Sequence, residues 1–204
     1  VRFPDARVLV FAKAALPGQV KTRLIPHLTA VGAARLHHRL VSDTLERLTR
    51  AGVAPIELWC APHPGLPFFD DLRRRFGAGL RAQSGGDLGE RMLRAARDAL
   101  CRCRRLVLLG TDCPELDGDY VAQALAALEE RPAVLGPAQD GGYVLLGLKE
   151  AHRALFADVP WGSGEVARIT RERMAALGWA WTELPTLWDL DRPADLDRFQ
   201  AYCR

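Results

Sequence analysis

Four consecutive large apolar residues, Leu106-Val107-Leu108-Leu109, end at once in Gly110-Thr111-Asp112-Cys113-Pro114, and this run constrains the fold most. A strand with no polar alternation is one buried on both faces, which places the chain among α/β proteins with a largely parallel sheet. The remaining elements fit that frame. Val8 to Phe11 is an apolar run followed by a loop holding Pro17 and Gly18, and from Thr29 apolar residues recur at helical spacing at Leu36, Leu40, Leu45 and Leu48. Ile56 to Cys60 and Leu80 to Gln83 read as strands on either side of a short helix, Phe68 to Phe76, and Asp87 to Ala99 reads as the next helix. Asp117 is placed to cap a helix from Gly118 to Glu130. Ala133 to Gly136 and Tyr143 to Leu148 are strands too close together for a helical crossover, so the sheet is expected to be mixed. A helix Ser163 to Leu177, a strand Trp179 to Leu184 and a terminal helix Pro193 to Tyr202 complete the pattern.

At 204 residues and 49% hydrophobic, the chain can bury one good-sized core, and one domain over residues 1–204 is expected. Net charge is only +3, with both signs spread through the helices, so nothing favours wrapping nucleic acid. No apolar run approaches the roughly 20 residues that cross a bilayer, and no signal-peptide core precedes the first strand, so a cytoplasmic protein without a membrane partner is expected. Five cysteines without regular spacing read as free thiols, Cys113 as a small residue filling space at a strand end.

Ligands of such sheets lie beyond the C-terminal strand ends, which directs attention to the loops leaving the strands. The first, Ala12 to Leu28, carries Lys13, Lys21 and Arg23 with Gly18 and Thr22 between a buried strand and a helix. Cations, a flexible glycine and free amides at a helix start suit a bound phosphate, although the P-loop spacing is absent because no glycine precedes Lys21. The second loop sets Asp112 directly after the buried run, where a carboxylate can reach a hard cation such as Mg²⁺, or else serve as a turn residue. Asp189 and Asp191 offer a second carboxylate, Asp191 alternatively capping the last helix. The third loop, Gln139-Asp140-Gly141-Gly142-Tyr143, holds a candidate base in Asp140 beside paired glycines that admit close backbone approach; a tight hairpin turn is the equal alternative. Gly85, Gly86 and Asp87 form either a Gly-rich wrap for a nucleobase or the entry to a capped helix, and Trp161, flanked by glycine, either walls an acceptor or closes the core. The histidines do not group into ligand spacing, and His37 and His38 point in different directions on one helix.

Six segments, FAKAALPGQVKTRL, QSGGDLGERM, GTDCPEL, GPAQDGGYVLLGL, PWGSGEV and DLDRPADL, occur in the order seen in the DUF2064 family of glycosyltransferase-like proteins, and the chain resembles that family over nearly its whole length. It resembles more weakly the guanylyltransferases of the same superfamily. The resemblance implies a three-layer α/β/α nucleotide-diphospho-sugar transferase (GT-A, Rossmann-like) fold with a mixed, mostly parallel sheet and the nucleotide over its N-terminal half. It implies nucleotide contacts from Lys13, Gly18, Lys21, Thr22, Arg23, Gly85, Gly86 and Asp87, and a Mg²⁺ or Mn²⁺ ion at Asp112 and Asp191. Asp140 and Lys21 become the candidate catalytic groups, with Gly141, Gly142, Tyr143 and Trp161 toward the acceptor. Ala15 replaces a usual proline and Arg192 a common threonine. The implied activity is glycosyl transfer from a nucleotide sugar to a small-molecule acceptor. The alternatives are nucleotidyl transfer from a nucleoside triphosphate to a phosphorylated acceptor, or nucleotide binding without catalysis.

Overall fold

The computed structural model describes residues 1–203. Seven strands, β1 (Ala6–Lys13), β2 (Ile56–Ala61), β3 (Gly79–Ala82), β4 (Arg105–Leu109), β5 (Ala133–Pro137), β6 (Tyr143–Leu148) and β7 (Trp181–Glu183), form one sheet in the order β3-β2-β1-β4-β6-β5-β7. β1 lies parallel to both β2 and β4, β2 parallel to β3, and β5 parallel to β7. β6 alone runs antiparallel, wedged between β4 and β5, which makes the sheet mixed as the short 136–143 connection required.

Six helices cover it: α1 (Ile25–Ala51), α2 (Pro67–Phe76), α3 (Leu88–Leu100), α4 (Gly118–Ala127), α5 (Val166–Ala176) and α6 (Pro193–Tyr202). Because strand side chains alternate, Val8 and Val10 of β1 enter one core with Leu45 of α1, Phe69 of α2 and Leu125 of α4. Leu9 enters the opposite core with Met92 and Ala96 of α3 and Met174 of α5. β4 divides likewise, Val107 and Leu109 to the first side, Leu106 and Leu108 to the second. That double burial is the reason the run is unbroken in its hydrophobicity, each such side chain contributing about 1.5–3 kcal/mol.

A third, smaller cluster positions the site. Leu24 and Leu40 pack with Trp188, Leu190 and Phe199, so α6 and the strand of chain before it fold back against the start of α1. Leu190 N–H then donates to the carbonyl of Asp112 at 2.8 Å, tying the late segment to the end of β4. Several boundaries differ from the periodicity, α4 ending at Ala127 and α5 beginning at Val166 among them. A 3₁₀ turn, Thr22–Leu24, leads directly into α1, which is broken at Thr29 (φ 61°), so the helix begins earlier than the spacing indicates. β7 is shorter than the alternation suggests because it is an edge strand whose one partner is β5. No helix among the described residues is long and apolar enough to cross a membrane.

The cysteines are free: Cys60 and Cys113 are buried, Cys101 and Cys203 exposed. Burial pushes the thiols of Cys60 and Cys113 up to about 12, so neither is a nucleophile near neutral pH. With Ellman's reagent on the native protein, Cys101 and Cys203 are expected to react promptly and Cys60 and Cys113 only after denaturant is added; prompt labelling of Cys113 would contradict this packing.

Candidate active site

β1 and β4 are parallel neighbours, so Lys13 at the end of one and Gly110-Thr111-Asp112 after the other arrive at the same edge of the sheet. The loop from β1 then brings in Lys21, which adopts the left-handed conformation (φ 49°) just before the 3₁₀ turn. Its side chain is only 3% exposed, yet its ammonium is not orphaned. Nζ lies 2.8 Å from Oδ1 of Asp112 and donates to the carbonyl of Leu190. Arg23 pairs with Asp191 across the mouth, an exposed pair of small energetic worth by itself. Lys13, Lys21, Thr22, Arg23, Asp112 and Asp191 line one cavity of about 440 Å³. The first loop, the second loop and the late acidic segment are thus brought together; Gly18 (φ 80°) turns the loop that delivers them.

Negative charge is concentrated beside that cavity. Oδ1 of Asp112 is fully buried and has no hydrogen bond, the Lys21 ammonium being its charge partner. Asp189 is half-buried, and desolvation, together with the neighbouring Asp112 and Asp140 carboxylates, pushes its carboxyl up to about 7 against the opposing pull of Lys21. Asp191 does not cap α6. The cap is supplied by the Asp195 carboxylate, which accepts from the amides of Asp191 (3.0 Å) and Arg192 (2.7 Å), leaving the Asp191 carboxylate to Arg23. Among the described residues no group of three or more His, Cys, Asp or Glu side chains is arranged to enclose a metal. An oxygen-only set of one or two carboxylates nevertheless fits a hard ion such as Mg²⁺, which usually completes its shell with water and ligand phosphates.

A second cavity, of about 210 Å³, adjoins the first and includes Met92, Asp140, Gly142, Tyr143, Trp161 and Asp189 in its wall. Tyr143 stands edge-on to Trp161, with ring centroids 6.3 Å apart. The Asp140 carboxylate accepts from the Gly142 amide at 2.8 Å, a local turn that holds it at the rim. The paired glycines serve mainly an internal contact. A Cβ on Gly141 (φ 88°) would lie 2.0 Å from the Gly164 carbonyl oxygen, so the β5–β6 hairpin approaches the 160s loop there, not a ligand.

The Gly-rich entry to α3 is equally structural in part. Asp87 accepts from the Glu90 amide and Glu90 accepts from the Gly86 amide, both at 2.7 Å, a reciprocal cap that engages Gly86 and Asp87. Gly85 lines a third cavity of about 310 Å³ with Lys13, Gln19, Gln83 and Arg91. Gln19, Gln83 and His37 are site residues that motif reading did not single out. Gln83 follows β3 directly, so the strand-end rule was a usable signal for it. Its amide donates to the carbonyls of Trp59 (2.8 Å) and Ala12 (3.3 Å), which leaves its oxygen as an acceptor. His37 carried no signal beyond its heptad-like place on α1; its Nε2 lies 3.0 Å from the Lys13 carbonyl.

This architecture is that of the nucleotide-diphospho-sugar and nucleotidyl transferases. A protein from Desulfovibrio desulfuricans G20, provisionally named a nucleotide-diphospho-sugar transferase, matches with a TM-score of 0.87 and 32% identity over 97% of this chain and 87% of its own. Two more distant structures share the fold. One is a 4-diphosphocytidyl-2C-methyl-D-erythritol synthase from Anaerococcus prevotii DSM 20548, with TM-score 0.65 and 9% identity over 98% of this chain and 96% of its own. The other is a glucosyl-3-phosphoglycerate synthase from Mycobacterium tuberculosis, solved with Mn²⁺, uridine diphosphate and glucosyl-3-phosphoglycerate, with TM-score 0.55 and 12% identity over 97% of this chain and 75% of its own. No curated protein matches the chain. The chain belongs to the DUF2064 family, described as an uncharacterized protein conserved in bacteria, whose profile spans residues 44–163.

Two measurements probe this packing. Gly141→Ala is expected to cost about 1–3 kcal/mol in denaturant melts, from the clash with Gly164 and the positive φ together; an unchanged midpoint would refute the contact. Burial holds the His37 imidazole below its usual value of 6.5, the nearby Asp112 opposing this and Lys21 and Lys13 adding to it. Below about 6.5 the unfolded chain therefore takes up a proton that the folded chain refuses, and stability falls with pH until the folded value is reached. His37→Asn should flatten that slope, and an identical slope would remove His37 from the account.

Proposed function

We propose that the chain is a divalent-metal-dependent transferase that takes a glycosyl group from a nucleotide sugar and passes it to a small-molecule acceptor in the cytoplasm. The observation that carries this reading is the single cavity in which Lys13, Lys21 and Arg23 stand beside Asp112 and Asp191. Three cations on one side match the charge of a diphosphate, and carboxylates on the other match a bridging Mg²⁺ or Mn²⁺. Gly85 and Gln83, in the adjoining cavity with Arg91, would meet the base or ribose.

Asp112 would hold the ion. Asp189 joins Asp191 as the candidate second ligand, since Asp191 is occupied by Arg23 while Asp189 makes no ion pair among the described residues and is near enough to feel the Asp112 charge. When bound, the ion supplies charge neutralisation on the departing diphosphate. The chain's own groups do the rest. Lys21, fixed by Asp112 and Leu190, and Arg23 and Lys13 at the rim, orient the diphosphate and hold the charge that develops as it leaves. Asp140 is the base, held by the Gly142 amide next to the acceptor cavity.

Nucleotidyl transfer from a nucleoside triphosphate is the second reading. It is favoured by the size of the phosphate-side cavity, about 440 Å³, which is room for a third phosphate. The shared fold accommodates both.

A thermal-shift panel of nucleoside di- and triphosphates and nucleotide sugars, with and without Mg²⁺ or Mn²⁺, separates them. Nucleotide sugars and diphosphates are expected to raise Tm only with metal, because a ligand of the native state stabilises by mass action. Lys13→Ala and Arg23→Ala should each weaken nucleotide binding by about tenfold, as loss of a charge-assisted contact does. Asp112→Ala should abolish the metal dependence. If no nucleotide raises Tm with metal present, the reading is wrong; triphosphate preference with pyrophosphate release would install the second one.

A further inference from the structure

The cavity next to the phosphate side is mostly hydrocarbon. Its deep wall is Met92, Leu108, Val144 and Val166, and Phe11, Tyr143 and Trp161 close the sides. Side-chain polarity is confined to Asp140, Asp189 and Ser163. The Tyr143 hydroxyl is paired with the Met92 sulfur at 3.8 Å, and Trp161 Nε1 is buried without a partner against Gly89. Trp161 therefore offers no polar atom to an occupant, and the Tyr143 hydroxyl already donates to sulfur. Leu88, the first residue of α3, lines both this cavity and the phosphate cavity yet is 42% exposed, an apolar side chain left wet where the two spaces join.

We propose that this cavity seats the acceptor, and that the acceptor is an uncharged alcohol with a compact apolar body, such as a single ring or a short branched chain. The inference rests on the transferase reading above and narrows its substrate class. A polyol pushed against Met92, Leu108, Val144 and Val166 would lose water from several hydroxyls without replacement partners, the costliest kind of burial. An acceptor bearing a phosphate or carboxylate would bring its charge against the Asp140 carboxylate in a lining that holds no Lys or Arg. An apolar body meets neither penalty and would cover Leu88 as it enters. The volume, about 210 Å³, falls below the roughly 300–1,000 Å³ of drug-sized sites, which limits the body to something small. With the body held inward, the hydroxyl lies at the rim with Asp140 and faces the phosphate side. Its oxygen forms the new bond to the anomeric carbon, its proton passes to Asp140, and the bond from that carbon to the diphosphate breaks, the electron pair leaving with the nucleoside diphosphate.

The test uses the full chain and three probes: benzyl alcohol, benzyl phosphate and myo-inositol. Binding of each is followed by saturation-transfer NMR and titrated for Kd, with the nucleotide thermal-shift panel run on the same preparations. Benzyl alcohol is expected to bind at least about tenfold more tightly than either of the others. Met92→Gln, which keeps the shape but wets the deep wall, and Val166→Thr, an isosteric change at a residue that lines this cavity and not the phosphate one, should each weaken the alcohol and leave the nucleotide response intact. Tighter binding of myo-inositol or of benzyl phosphate, or alcohol binding indifferent to both substitutions, would overturn the proposal. If that happens while nucleotides still raise Tm with metal, the acceptor class alone is wrong; if nucleotides also fail, the transferase reading falls with it.

Discussion

The buried ammonium of Lys21 is the point on which the site depends. It reaches from the loop after β1 to a carboxylate after β4 and to the carbonyl of Leu190, three segments distant in sequence. Leu190 returns the contact through its own amide, which donates to the carbonyl of Asp112. The result is a closed loop of interactions in which no member can be moved alone. An ammonium nearly removed from water is tolerated only because each partner is fixed, and the fixing is done by hydrocarbon: Leu24 and Leu190 are fully buried in the same small cluster. Charge placement in the site is thus enforced by packing behind it.

That dependence explains why the last helix matters to a site built mainly from the first half of the chain. α6 adds little to the two main cores. What it contributes is Phe199 against Leu24 and Leu40, and with it the position of the acidic segment 189–191 opposite Lys21 and Arg23. Asp195 holds the backbone there by accepting from the amides of Asp191 and Arg192, while the Asp191 carboxylate pairs with Arg23. The exposed Arg23–Asp191 pair sits over the cavity mouth and carries little stability, which suits groups whose partners are exchanged when a ligand arrives.

Much of the fold was legible because its determinants are local. The unbroken Leu106–Leu109 run marks a strand buried on both sides, and the short 136–143 connection forces the antiparallel β6; both follow from residue order alone. The strand-end loops were legible for the same reason, and Lys13, Lys21, Arg23 and Asp112 do share one cavity. What could not be read depends on which atoms face each other across the fold. Gly141 and Gly142 look identical as a pair, yet one meets the Gly164 carbonyl and the other lines the cavity. Asp87 and Asp191 had equal standing as helix caps, but only Asp87 caps. Gln83 becomes a cavity residue because the carbonyls of Trp59 and Ala12 orient its amide, a contact spanning three strands.

The site divides by polarity along the sheet edge, and the division has one structural cause. β1 and β4 both present alternating side chains to opposite cores, so at their ends one face of the sheet is continued by the polar β1 loop and the other by α3 and α5. Phe11 and Leu108 point toward α3, and there the cavity is hydrocarbon; Lys13, the last residue of β1, and Asp112, in the loop after β4, stand at the strand ends, and there it is charged. Gly110 lines both cavities at the boundary. A charged, hydrated leaving group and an apolar partner can therefore be held a few residues apart without either desolvating the other's surroundings. Asp140 and Asp189 line the apolar cavity beside that boundary, where the transfer proposed above would need a proton taken up as charge develops on the phosphate side.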